Sequence, residues 1–212
     1  MTSSGLFEDS VPGGPLRVLF VCTGNVSRSP LAEVLLRYSL SGLPVAIASA
    51  GTAALVHESM ASESQQIARD LGVPFISDRR GQQLTSSMLE EADLVLALAR
   101  AHRRTVAELH PRAARKAFTL REFARLAEIR ESLSVSRPAA DLSTAMREAV
   151  AEVSALRGTL PPPIDPADDD VIDPYQQSKE VYRAARAQIV PAVAATAAAL
   201  RRAASLYVAA PQ

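Results

Sequence analysis

The chain has 212 residues, with 23 basic and 23 acidic side chains. A net charge of zero excludes a global field that would gather nucleic acid or an acidic membrane surface. The length makes one domain the default, with enough chain to bury a sizeable core. A single cysteine, Cys22, excludes an intramolecular disulfide and a cysteine zinc site.

In chain order, residues 1–15 are rich in serine, glycine and proline and read as a flexible tail ahead of one domain, 16–212. Met1 to Pro15 lacks the apolar stretch of a signal peptide. Leu16 to Val21 is a short apolar run, broken only by Arg17 and suited to a buried strand. The polar segment Thr23 to Ser29 follows. From Pro30 the residues Leu31, Val34, Leu35 and Tyr38 fall at helical spacing. Val45 to Ala48 reads as a second strand, followed by Ser49-Ala50-Gly51-Thr52. Helices are expected over Glu63 to Leu71, and over Thr85 to Glu91 with Thr85 as cap. Asp93 to Ala99 is a third, fully buried strand. A helix over Arg103 to Leu109, a short strand at Phe118 to Leu120 and a helix over Arg121 to Ala127 come next.

The stretch 132–170 differs in character. It holds a helical run, Asp141 to Arg157, and then a loop rich in proline and aspartate, so it reads as an insertion. The last helix starts near Gln176 or Ser178 and runs to about Ala204, with Pro191 expected to kink it. Its apolar part, Ile189 to Leu200, is too short to span a bilayer, and a reducing cytoplasm fits the cysteine usage. Strands alternating with helices predict an α/β fold with a parallel sheet covered on both faces. In such folds ligands sit beyond the carboxyl ends of strands, where Cys22 lies.

The segment Cys22-Thr23-Gly24-Asn25-Val26-Ser27-Arg28-Ser29 carries the chemistry. A loop wrapping into a helix N-terminus turns backbone N–H groups inward and forms an anion cradle. Gly24 and Asn25 most easily take positive φ and would let it curl. Arg28 offers a planar fork for two phosphate oxygens, which lysine lacks. The same field favours a thiolate at Cys22, and Ser29 could donate a hydrogen bond to the sulfur.

The string V-L-F-V-C-T-G-N-V-S-R-S-P-L-A-E resembles the opening of the low-molecular-weight protein tyrosine phosphatases. Ser49-Ala50-Gly51-Thr52 and Asp173-Pro174-Tyr175 resemble two later blocks of that family, in the same order. The resemblance implies a three-layer sandwich with a four-stranded parallel sheet, and hydrolysis of phosphotyrosine through a cysteinyl-phosphate. By this resemblance Cys22 is the nucleophile and Arg28 the clamp. Thr23, Gly24, Asn25, Val26, Ser27 and Ser29 complete the phosphate loop. Asn25 holds the strained turn, bonded to Ser29 and Ser49, and Asp173 is the general acid. No cofactor or metal is implied. The expected partner is a phosphotyrosine protein or a small aryl phosphate.

Asp165, Asp168, Asp169 and Asp170 compete with Asp173 for the role of acid. Asp173 is preferred because Tyr175 follows it, giving an aromatic wall for a flat substrate ring, and because a helix begins just after. The other four are expected to solvate the loop. His57, His102 and His110 are scattered and read as structural or surface residues. Arg100 to Arg104 read as a solvated helix face.

Three departures from the family pattern stand out. Ser27 occupies the place of a second cysteine, Arg79 that of a histidine that supports the asparagine, and Leu98-Ala99 that of a Met-Asp pair. Two other functions compete with the phosphatase: an arsenate reductase relying on an external thiol, and a non-catalytic phosphate-binding module. Without a thiol at Ser27, peroxide should convert Cys22 to a sulfenic acid or a mixed disulfide. Full activity after peroxide, with Cys22 unmodified in a peptide map, would rule this out.

Overall fold

The computed structural model describes residues 14–74, 79–131 and 137–209; the expected tail lies almost wholly outside them. Strand β1 (Leu16–Cys22) leads through helix α1 (Arg28–Ser39) to β2 (Val45–Gly51). Helices α2 (Ser62–Asp70) and α3 (Ser86–Glu91) precede β3 (Leu94–Ala97). Helix α4 (Arg100–Leu109), β4 (Ala117–Thr119) and α5 (Leu120–Glu131) follow. The four strands form one parallel sheet in the order β2-β1-β3-β4. The chain winds from β1 outward to β2 and then crosses to β3 on the other side. This reversal opens a crevice at the carboxyl end of β1, which is where Cys22 stands.

Alternation along β1 sorts the core into two layers. Leu16, Val18, Phe20 and Cys22 pack with one cluster that includes Leu31 of α1 and Phe123 of α5. Leu19 and Val21 pack with the other, against Leu89 of α3 and Val106 of α4. Cys22 is therefore the last rung of a core stripe.

The stretch after α5 joins the first cluster. Helix α6 (Leu142–Ala155) starts at Asp141, whose carboxylate accepts from the Thr144 amide at 2.8 Å, and it buries Met146, Ala149, Val150 and Val153. Helix α7 (Lys179–Ser205) contributes Tyr182, Ile189, Val193 and Leu200, and stays helical through Pro191. Two short strands, β5 (Arg137–Ala139) and β6 (Tyr207–Ala209), pair in parallel; nothing in their sequence announced them. Helices α1 and α4 start earlier than the apolar spacing predicted, because their first turns carry polar residues that face the site.

The chain after β2 runs close beside the loop after β1. The amides of Thr52, Ala53 and Leu55 donate to the carbonyls of Cys22, Thr23 and Gly24 at 2.9, 3.0 and 3.0 Å. This proximity leaves no room at Gly51, where a Cβ would lie 2.3 Å from the Thr23 carbonyl oxygen. Gly51→Ala should lower stability by about 2 kcal/mol in a urea titration, the cost of overpacking a closed contact; an unchanged midpoint would show that the two segments can part.

Candidate active site

Residues 23–27 form a tight loop between β1 and α1. Asn25 alone in this loop takes the left-handed conformation, with φ 56°. Gly24 does not, so its expected positive φ is corrected: the asparagine makes the turn without help from the glycine. The Asn25 side chain holds the turn in place. Its Nδ2 donates to Ser29 Oγ at 2.9 Å and to Ser49 Oγ at 2.7 Å, and its Oδ1 accepts from the Gln82 amide at 2.9 Å. All the hydrogen-bonding capacity of this buried amide is engaged except one acceptor lone pair.

These bonds fix the direction of the next one. Ser29 Oγ accepts from Asn25, so its own proton turns to Cys22 Sγ, 2.8 Å away. The Asn25 backbone N–H also donates to the sulfur at 3.3 Å. Cys22 is 2% exposed, at the floor of a cavity of about 140 Å³ lined by residues 22–28, Ala53, Leu55, Asp173 and Tyr175. The loop runs directly into the first turn of α1, whose positive end favours negative charge there.

Arg28 is 5% exposed and is held by the segment before α7. One guanidinium nitrogen donates to the Val171 carbonyl at 3.1 Å, and the other to Asp173 Oδ2 at 2.6 Å. Asp173 is half-exposed at the cavity rim. Tyr175 stands on the same wall, 40% exposed. The structure thus brings together Cys22, Thr23, Gly24, Asn25, Val26, Ser27, Arg28, Ser29, Asp173 and Tyr175, with Ser49 behind them. Ser27 lies 3.5 Å from the hydroxyl of the buried Tyr182.

One expectation for the surroundings needs correction, that for the aspartates before Asp173; His102 and Arg100 keep the places expected of them and gain specific partners. His102 is buried at 6% exposure, and its Nε2 lies 2.8 Å from Thr23 Oγ1. Its place in the first turn of the helix after β3, at the sheet end that carries Cys22, was the available signal. Arg100 lies on an exposed helix face as expected, where both its side chain and its amide bind the Asp170 carboxylate. The neighbours of Asp173 do more than solvate the loop. Asp170 pairs with Arg100 at 2.9 Å, Asp169 pairs with Arg125 at 3.4 Å, and Asp165 caps a short helical turn. With the Val171 amide on the Leu98 carbonyl and the Ile172 amide on Gln188, these bonds fasten the segment before Asp173.

The description low molecular weight phosphotyrosine protein phosphatase belongs to the family model that matches residues 17–160. The chain belongs to this family. A probable low molecular weight protein-tyrosine-phosphatase, EpsP, from Ralstonia nicotianae is 35% identical over 133 residues, covering 63% of this chain and 85% of the relative. A protein-arginine-phosphatase from Geobacillus stearothermophilus is 30% identical over 176 residues, covering 82% of this chain and 89% of the relative. The solved structure of the YwlE arginine phosphatase from G. stearothermophilus superposes with a TM-score of 0.61 at 28% identity, over 89% of this chain and 94% of that one. The four-stranded parallel α/β sandwich is thus the family's fold, and the protein is a phosphatase.

Burial, then the charge on Arg28, hold His102 down to about 4 from its ordinary 6.5. The unfolded chain takes up this proton near pH 6.5 and the folded one only near 4. Stability from this residue is therefore full above pH 6.5 and is lost as the pH falls towards 4. The loss amounts to about 3 kcal/mol across that window. Urea titrations at pH 7 and pH 4.5 should show His102→Gln removing most of this difference; an equal fall in both proteins would reject the assignment.

Proposed function

We propose that the protein hydrolyses phosphotyrosine in proteins, with Cys22 as nucleophile, Arg28 as phosphate clamp and Asp173 as general acid. The observation that carries this reading is the meeting of three groups at one cavity. The Cys22 sulfur accepts a hydrogen bond from the Ser29 hydroxyl, Arg28 ends the loop, and the Asp173 carboxylate touches that same guanidinium. In the substrate-bound state the dianion takes the place that Asp173 holds on Arg28, and the carboxyl is released towards the leaving oxygen.

The Cys22 thiolate then attacks phosphorus in line with the phenolic oxygen. The P–O bond to the ring breaks as the S–P bond forms, and Asp173 in its acid form gives its proton to the departing phenolate. Asp173, now a carboxylate, takes a proton from water as that water attacks the cysteinyl-phosphate. The S–P bond breaks, inorganic phosphate leaves, and the Ser29 hydroxyl stabilises the returning sulfur charge. Tyr175 and Leu55 wall the cavity as an aromatic substrate ring requires. Among the described residues no helix is long and apolar enough to cross a membrane, and we place the protein in the reducing cytoplasm, where Cys22 stays a thiol.

Cys22→Ser should abolish hydrolysis of aryl phosphate. Asp173→Ala should lower kcat by about 10²-fold or more with little change in KM. A panel of phosphotyrosine peptide, alkyl phosphate, phosphoarginine peptide and arsenate with added thiol should show preference for the first. Preference for phosphoarginine, or thiol-dependent arsenite production, would overturn the substrate assignment.

A further inference from the structure

Behind Asn25 lies a charge cluster, buried except for a half-exposed Arg37, that the chemistry above does not use. Glu33 of α1 is 4% exposed. It pairs with Arg37 at 2.7 Å and with Arg79, whose side chain is 9% exposed. Arg79 reaches Ser49 Oγ as well, and donates to the Ser49 carbonyl at 3.2 Å. Ser49 Oγ donates to Glu33 Oε2 at 2.8 Å while accepting from Asn25. A chain of oriented hydrogen bonds therefore connects Arg79 to the sulfur through Ser49, Asn25 and Ser29. Arg79 does not line the cavity over Cys22.

The charges in this cluster do not cancel. One carboxylate faces two guanidinium groups, leaving a net positive charge behind the loop. Burial of Arg79 is unfavourable, and its Nε has no hydrogen-bond partner among the described residues. Burial and the neighbouring Arg37 push its ionisation down, whereas Glu33 and then a charge on Cys22 support it. Attraction between two sites is mutual, so what Cys22 does for the Arg79 charge, Arg79 does for the charge on sulfur.

We propose that Arg79 is a positioning residue that sets a permanent positive charge behind Cys22, so that two cations favour the ionised sulfur and only Arg28 touches the phosphate. This rests on the reading of Cys22 as the nucleophile. The charged and titratable groups around the sulfur and the cluster behind it are Arg28, Glu33 and Arg37 from α1, Arg79 from the segment after α2, His102 from α4 and Asp173 from the segment before α7. His102 is neutral above about pH 4, which leaves Glu33 and Asp173 to oppose three arginines, of which Arg37 is half-exposed.

The chain has one cysteine, so iodoacetamide reports ionised Cys22 without any turnover. Alkylation at pH 6 should be about fivefold slower in Arg79→Gln and restored towards the original rate in Arg79→Lys. Glu33→Gln removes the opposing charge and should make alkylation about threefold faster, although it breaks the same network. A purely structural role predicts slower alkylation in both Gln variants, and that outcome, or no change in either, overturns the proposal. If Arg79→Gln does not fold, the sign of the Glu33→Gln effect decides alone. Aryl phosphate turnover measured on the same samples separates the two readings: no turnover by the unaltered protein, with alkylation ordered as above, rejects the phosphatase chemistry and keeps the role of Arg79.

Discussion

The Asn25 side chain is the constraint on which the rest of the site depends. A loop that must turn back at the end of β1 needs one residue in the left-handed region, and Asn25 takes it at φ 56°. The strain is modest for asparagine and is offset by bonds that its amide makes to Ser29, Ser49 and the Gln82 backbone. Because both N–H groups are committed, Ser29 can only accept from Asn25 and donate to sulfur. One side chain thus sets the backbone turn, the spacing of loop and second strand, and the polarity of the bond that reaches Cys22.

The sheet supplies what the loop cannot supply for itself. Cys22 and Ser49 lie on the same face of neighbouring strands, next to the Phe20–Ser49 register pair, so the parallel pairing brings Ser49 to Asn25. The close run of residues 52–55 along the loop requires Gly51. On the opposite side, the end of β3 holds Val171, and the helix after β3 brings Arg100 to Asp170 and His102 to Thr23. The acid segment is therefore fastened before Asp173, and the Asp173 side chain is left half-exposed.

Much of this was legible in the sequence, for identifiable reasons. The strand before Cys22 is apolar but for Arg17 and the helix after Arg28 repeats apolar residues at helical spacing, and the loop between them is made of residue types with few other uses in that order. The four strands and most helices followed from periodicity. The pairing of β5 with β6 did not, because it joins two three-residue segments about seventy residues apart in sequence, each too short to show a period. Nor did the burial of His102 and Arg79. A charged or titratable residue on a polar stretch is solvated by default, and only the tertiary approach of Thr23 in one case, and of Glu33 with Ser49 in the other, takes these two out of water. Arg79 was recognisable as a departure from the family's histidine, but its two contacts were not.

The placement of Cys22 at the end of a core stripe has a dynamic consequence. Leu16, Val18 and Phe20 are fully buried on the same side of the central strand, and the sulfur continues their line. Local opening that displaced the sulfur from its place under the cavity would have to peel this strand from both its neighbours, so the loop belongs to the same cooperative unit as the sheet. The nucleophile therefore has no softer mode of its own: the protein loses the geometry of its sulfur at the temperature at which it loses its fold, whereas the half-exposed Asp173 can move while the sheet stays closed.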